Sequence, residues 1–127
     1  AALDPAYPDA KRRNMKAAIY LAEHLHEAPV HLFVAGWTRR GAPQSQALFP
    51  AIQNVLLACR AVGLGASLTT AHRADGEEID RYLGLDPVKT PSIALIPIGW
   101  PKGNFGRPTR RSIDTCFFVD GVPEPSD

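Results

Sequence analysis

The segment that most constrains the fold is the apolar stretch from Ala47 to Val62, in which only Gln53, Asn54 and Arg60 are polar. A helix that is apolar nearly all round must be buried on most of its sides. Full burial of one leucine or isoleucine side chain contributes about 1.5–3 kcal/mol relative to exposure. Because a chain of 127 residues builds one small core, we expect a subunit interface to cover part of this helix.

Residues on either side define the two ends of this helix. Ser45 is a typical N-cap residue, and Pro50 is compatible with a helix only near the first turn. At the other end, Gly63 or Gly65 can adopt the left-handed conformation in which many helices end. The sequence therefore predicts a long buried helix that turns sharply into the next element.

A second helix is predicted earlier in the chain. Its apolar residues recur at spacings of three and four, which is the pattern of an amphipathic helix, and they are Met15, Ala18, Ile19, Ala22 and Leu25. Pro29 ends this pattern. Residues 1–13 contain prolines and show no periodicity, which predicts an extended lead-in. The Pro-rich, acidic tail at 120–127 is expected to be frayed.

Short β-favouring runs make up most of the rest. Residues 30–35 and 92–99 are apolar on both faces, which indicates interior strands. Residues 66–70 are predicted to form a short strand, and residues 112–119 a final strand or an extended arm. The segment between the first strand and the long helix, 36–44, has the glycine, proline and charge of a loop.

A third, short helix is predicted around Glu77–Leu83. Asp75 can cap its first turn, with Glu78 three residues later as in a capping box, and Gly84 is placed to end it. The resulting element order is α–β–α–β–α–β–β, which by itself favours βαβ units and a parallel sheet.

Composition narrows the class of protein. Hydrophobic residues make up 45% and charged residues 21% of the chain, which is typical of one soluble globular domain. The net charge of +1 gives no support for a nucleic-acid surface. We see no signal peptide and no apolar run of bilayer length, so we expect a cytoplasmic protein without a membrane span. Cys59 and Cys116 lie in apolar segments and are expected to be buried free thiols, although a disulfide stays open.

Polar clusters offer few candidates for a site when taken alone. The four histidines have no metal-binding spacing, so no metal site is predicted. His72 and Arg73 could line the mouth of a pocket, but we expect them at the surface. The residues of "LTTA" (68–71) could simply end a strand. The loop containing Arg107, Arg110 and Arg111 could bind a phosphate through guanidinium groups, or could be a solvated basic turn.

Two longer stretches carry a family resemblance. "FPAIQNVLLACRAVGLGASLTTAHR" followed by "SIALIPIGWPKGNFGRPTRRSID" resembles the C-terminal part of the FMN-dependent nitroreductase family. The features occur in the family's order: a Pro-Ala-x-x-Asn helix that ends in Gly-Leu-Gly, a short strand, and an "IPIGWP" strand that leads to an Arg-rich loop. The resemblance runs from about Asn14 to Phe118.

This resemblance implies an α+β fold, a three-layer α/β/α domain around a sheet that is mainly antiparallel. It also implies an obligate homodimer through the Ala47–Val62 helix, with FMN at the interface. Backbone N–H groups of Thr70 and Ala71 would face the flavin ring, with Leu68 and Thr69 beside it. Arg110 and Arg111 would hold the FMN phosphate, while Arg107 stays open as an alternative. No catalytic side chain is assigned, because the cofactor performs the hydride chemistry.

The implied activity is hydride transfer from NAD(P)H through FMN to a nitroaromatic, a quinone or a similar acceptor. Family members also carry an Arg-rich segment that precedes the region matched by residues 14–118, and Arg12 and Arg13 are a poor substitute for it. We therefore expect residues 1–127 to form one partial nitroreductase-like domain. The alternative is a truncated, non-catalytic interaction module that binds FMN weakly or not at all.

Overall fold

The structure is a computed structural model that describes residues 9–39, 42–43, 45–106, 112–113 and 117–121. The described residues contain three α-helices and five strands. They are α1 (Asp9–Glu23), β1 (Val30–Ala35), β2 (Thr38–Arg39), β3 (Ala42–Pro43), α2 (Ser45–Ala61), β4 (Gly65–Ala66), α3 (Gly76–Tyr82) and β5 (Ser92–Gly99). One 3₁₀ turn, Leu25–Glu27, follows α1, and another, Ala71–Asp75, precedes α3.

The main sheet has the strand order β1-β5-β4, and both of its pairings are antiparallel. This confirms the antiparallel sheet of an α+β fold, and it shows that the parallel sheet favoured by element order is wrong. Residues 92–99 form the central strand, as predicted, and Ala94, Leu95 and Ile96 of this strand are at most 2% exposed. Residues 30–35 also form a strand, as predicted, and β1 lies at the edge of the described sheet.

The predicted strand at 66–70 is broken in two. β4 covers only Gly65–Ala66, and pairing with β5 resumes at a single bridge between Thr69 and Leu95. The pairing register places Ser67 opposite Pro97, which has no N–H group to donate to a ladder. Pro97 therefore explains why this strand is interrupted just before the residues predicted to face a flavin.

The helix α2 has the predicted bounds, but it is buried on one face only. It begins at Ser45 and includes Pro50, and Gly63 follows it with a φ of +83°. Ile52 and Cys59 are buried, and Val55 and Leu56 are half-buried against the sheet. In contrast, a stripe of mostly small side chains along the opposite face is exposed, namely Ala47, Ala51, Asn54, Ala58 and Ala61.

The lead-in, the short helix and the last predicted strand differ from expectation. Helix α1 begins at Asp9, so residues 9–13 of the predicted lead-in are helical. Asp75 precedes α3 but makes no capping hydrogen bond with its side chain, so the capping box is wrong, whereas Gly84 follows the helix with a φ of +73°, as predicted. None of residues 112–113 and 117–119 lies in a strand.

The remaining terminal predictions are only partly covered. Cys116 and residues 122–127 of the tail lie outside the described residues, and Cys59 is a buried free thiol, as predicted. Within the described part of the chain, no helix has the length and apolar character needed to cross a membrane.

Candidate functional site

The candidate site is built on the segment 67–71, which leaves β4 and runs along β5. Thr69 exchanges both backbone hydrogen bonds with Leu95, each at 2.9 Å. Successive peptide groups of an extended chain point to opposite sides, so the N–H groups of Leu68 and Thr70 point away from β5. Neither N–H group has a hydrogen-bond partner in the described structure. This segment therefore presents free backbone donors beside a buried strand.

The two predicted donors, Thr70 and Ala71, differ in their geometry. The Thr70 N–H is free, while its carbonyl oxygen accepts the N–H of Arg73 at 2.9 Å and so starts the 3₁₀ turn. The Ala71 N–H donates to Oγ1 of Thr69 at 3.2 Å. Leu68 is 38% exposed and Thr69 is half-buried. Of the two predicted donors, only Thr70 therefore has a free N–H in the described structure.

An open apolar groove of about 460 Å³ begins at this segment, because Ala71 is part of its lining. Its lining also includes Leu25, Phe33, His72, Leu83 and Leu95. No carboxylate is among the described lining residues. The groove therefore offers mostly apolar walls next to the segment 67–71, in which the free N–H donors belong to Leu68 and Thr70.

His72 is buried beside the site, and its predicted surface position is wrong. Its side chain is 7% exposed, and neither ring nitrogen has a hydrogen-bond partner in the part of the chain that the structure describes. The ring meets that of Phe33 edge to face, with centroids 5.6 Å apart. Burial, reinforced by the adjacent Arg73 charge, lowers the pKa of His72 below its ordinary value. The imidazole is therefore neutral at neutral pH.

A buried carboxylate anchors the end of the site, and sequence reasoning missed it. Asp80 of α3 is fully buried and accepts hydrogen bonds from Nη1 of Arg73 at 3.0 Å, from the Ser92 N–H at 3.0 Å and from Ser92 Oγ. Burial alone would raise the pKa of Asp80, but these hydrogen bonds and the Arg73 charge outweigh it and hold the pKa below its ordinary value. Through Asp80, these contacts join the 3₁₀ turn Ala71–Asp75 and helix α3 to the start of β5. Helix α3 is too short to show a periodicity from which this burial could be inferred.

The predicted phosphate ligands are not among the described residues. Arg107, Arg110 and Arg111 lie outside the described residues. Trp37 and Trp100 are 73% and 76% exposed, so neither is packed into the core. Among the described residues, no three His, Cys, Asp or Glu side chains are grouped closely enough to hold a metal ion.

Comparison with known proteins gives one match. The family model described as the nitroreductase family matches residues 3–100. This range begins closer to the N-terminus than the resemblance noted from about Asn14 to Phe118, and it ends before the Arg-rich loop. A search of curated proteins and a search of solved structures found no significant match. Members of the matched family are flavin-dependent oxidoreductases, and this is the class of activity that the match indicates. Because the match covers most of the chain, including α2, the segment 67–71 and β5, the chain belongs to the nitroreductase family.

Proposed function

We propose that this chain is an FMN-dependent oxidoreductase of nitroreductase type that passes hydride from NAD(P)H to a nitroaromatic, a quinone or a similar acceptor. The proposal includes a cytoplasmic homodimer in which α2 packs against its partner. Residues Leu68, Thr69, Thr70 and Ala71 contact the flavin ring, and Arg110 and Arg111 bind its phosphate. FMN, when bound, supplies the chemistry of accepting and donating hydride.

The observation that carries this proposal is the free N–H of Thr70, held in place by the Thr69–Leu95 bridge on one side and the Arg73–Asp80 contact on the other. A fixed N–H donor at the polar edge of a flavin ring orients the ring and stabilises electron density on it. The mostly apolar groove that begins at Ala71 supplies apolar walls for one face of the ring. These are the tasks that the protein, as opposed to the cofactor, must perform.

Replacing Thr70 with proline should weaken FMN binding by about three- to tenfold, because it removes one hydrogen-bond donor worth about 0.5–1.5 kcal/mol. Thr70→Ala is the matched control, since it keeps the N–H and should bind FMN like the wild type. The measurement is a titration of FMN fluorescence, with far-UV circular dichroism to confirm that both variants are folded. Equal FMN affinity in Thr70→Pro and Thr70→Ala would show that this N–H does not bind the flavin.

Replacing both Arg110 and Arg111 with alanine should weaken FMN binding by at least about tenfold, since charge-assisted hydrogen bonds are worth about 1.5–3 kcal/mol each. The same variant should bind riboflavin, which lacks the phosphate, as well as the wild type does. Thermal unfolding without FMN should shift little, because the core is built from α2 and β5. An unchanged affinity for FMN would place the phosphate on other residues.

The second candidate function is a non-catalytic interaction module. The exposed stripe on α2 favours it, because an apolar helix face can dock a partner without any cofactor. Mixing the chain with FMN and reduced nicotinamide, and following nicotinamide oxidation at 340 nm, separates the two candidates. Turnover supports the oxidoreductase, and its absence together with a failure to bind FMN supports the module.

A further inference from the structure

A second concave surface lies at the C-terminal end of α2. It is an open cleft of about 540 Å³ between the end of α2 and the turn that follows β5. We call it the Trp100 cleft, and its described lining consists of Arg60, Gly63, Trp100, Pro101, Gly103, Asn104 and Phe105. None of these residues belongs to the apolar groove or to the proposed flavin contacts.

Two aromatic rings are exposed in the Trp100 cleft. Trp100 is 76% exposed and Phe105 is 44% exposed. An atom of the Trp100 ring lies 3.8 Å from the position that a Cβ at Gly63 would occupy, so the indole rests close to the bare backbone of the helix end. Gly63 has a φ of +83°, which other residues rarely adopt. This arrangement supports the Trp100 ring from one side and leaves aromatic surface open to a ligand.

A guanidinium group without an acceptor lies at the same place. The Cζ atom of Arg60 lies 3.9 Å from the centroid of the Phe105 ring, so the side chain is held by a cation–π contact. The side chain of Arg60 makes no hydrogen bond or ion pair within the described structure. No carboxylate is among the described lining residues, and the nearby Lys102 is paired with Glu27 at 3.4 Å. The cleft therefore combines an aromatic surface with a positive charge that no described side chain neutralises.

We propose that the Trp100 cleft binds a planar aromatic group that carries a negative charge, of the kind found in a nucleoside monophosphate. The aromatic ring stacks on Trp100, an interaction worth about 1–3 kcal/mol per base at exposed aromatic residues of other proteins. The anionic group accepts hydrogen bonds from Arg60, whose planar fork suits phosphate oxygens. The inference is independent of the proposed flavin chemistry, because it uses none of the same residues.

The test uses AMP as the probe and Trp100 as the reporter. Trp37→Phe leaves Trp100 as the only tryptophan of the chain, so fluorescence quenching reports the cleft directly. AMP should quench Trp100 in a saturable way, and adenosine and inorganic phosphate, which each lack one half of the ligand, should bind at least about fivefold more weakly. An absence of saturable quenching by AMP, or equal binding of adenosine and AMP, would overturn the proposal.

Two variants in the Trp37→Phe background locate the charge. Arg60→Ala should weaken AMP binding by about tenfold, as expected for a charge-assisted hydrogen bond, and Arg60→Lys should restore part of the affinity. The matched control is Arg81→Ala, because Arg81 is an exposed arginine on α3 that pairs with Glu77 outside the cleft. If Arg60→Ala and Arg81→Ala weaken AMP binding equally, the effect is one of net charge and the proposed site is wrong.

Discussion

We expect the wild-type chain to form the proposed dimer and the Ala58→Glu variant to be monomeric. Ala58 lies on the exposed stripe of α2 with Ala47, Ala51, Asn54 and Ala61, and the spacing of four, three, four and three residues is that of a helix–helix seam. A carboxylate buried in such a seam without a partner costs several kcal/mol. Dimer affinity should therefore fall by at least about 100-fold, which corresponds to roughly 3 kcal/mol.

The matched control for this prediction is Gln53→Glu. Gln53 is exposed on α2 but lies off the stripe, so the Gln53→Glu substitution adds the same charge outside the proposed seam. Both substitutions introduce a good helix former, and α2 should survive in both. Sedimentation equilibrium measures the mass of each protein. We expect the wild type and the Gln53→Glu control to be dimers and the Ala58→Glu variant to be a monomer. A monomeric wild type, or a variant that dimerises as well as the control, would contradict a homodimer through α2.

Replacing Asp80 with alanine should destabilise the fold by about 3 kcal/mol or more. The substitution leaves the Ser92 N–H and hydroxyl buried without their acceptor, and each unsatisfied group costs about 1–3 kcal/mol. Glu77→Ala is the control, because Glu77 pairs with Arg81 at the surface and such pairs contribute little. Urea denaturation followed by circular dichroism measures both. Equal losses in the two variants would show that the Asp80 contacts do not hold α3 to β5.

Lowering the pH should remove the stabilisation that the same Asp80 contacts give to the wild-type fold. The pKa of Asp80 is held below its ordinary value, so the unfolded chain binds a proton more readily than the folded one. The stabilisation from Asp80 is complete above the unfolded pKa, near about 4, and is lost as the pH falls through the folded value. Asp80→Asn cannot titrate, so its stability should fall less steeply below about pH 4 than that of the wild type.

The elements that sequence reasoning predicted well are those with a strong local signal. β5 combines an apolar run with a position at the centre of the sheet, and α2 has its predicted start at Ser45 and its glycine end at Gly63. Composition also predicts that α2 is buried, but it does not tell whether each face of the helix is covered by this chain or by a partner chain. The exposed stripe of Ala47 and Ala58 is where this distinction matters.

The predictions that failed depend on pairing between distant residues. The strand predicted at 66–70 is interrupted because its partner position is Pro97, and that register is set by the fold. The burial of His72 and Asp80 follows from the way a short turn and α3 pack on β5. Family resemblance predicts that Thr70 and its neighbours face the flavin, and the Thr69–Leu95 bridge explains why the Thr70 N–H is free.

The central claim is that the free N–H of Thr70 binds the flavin, and the amide signal of Thr70 tests it most directly. In a chain labelled with ¹⁵N-threonine, the N–H group of Thr90 serves as an internal control because it donates to Asp86 and lies outside the proposed flavin contacts. On titration with FMN, the Thr70 signal should move progressively with bound FMN, and the Thr90 signal should stay in place. A Thr70 signal that does not move while FMN binds would contradict the proposed site.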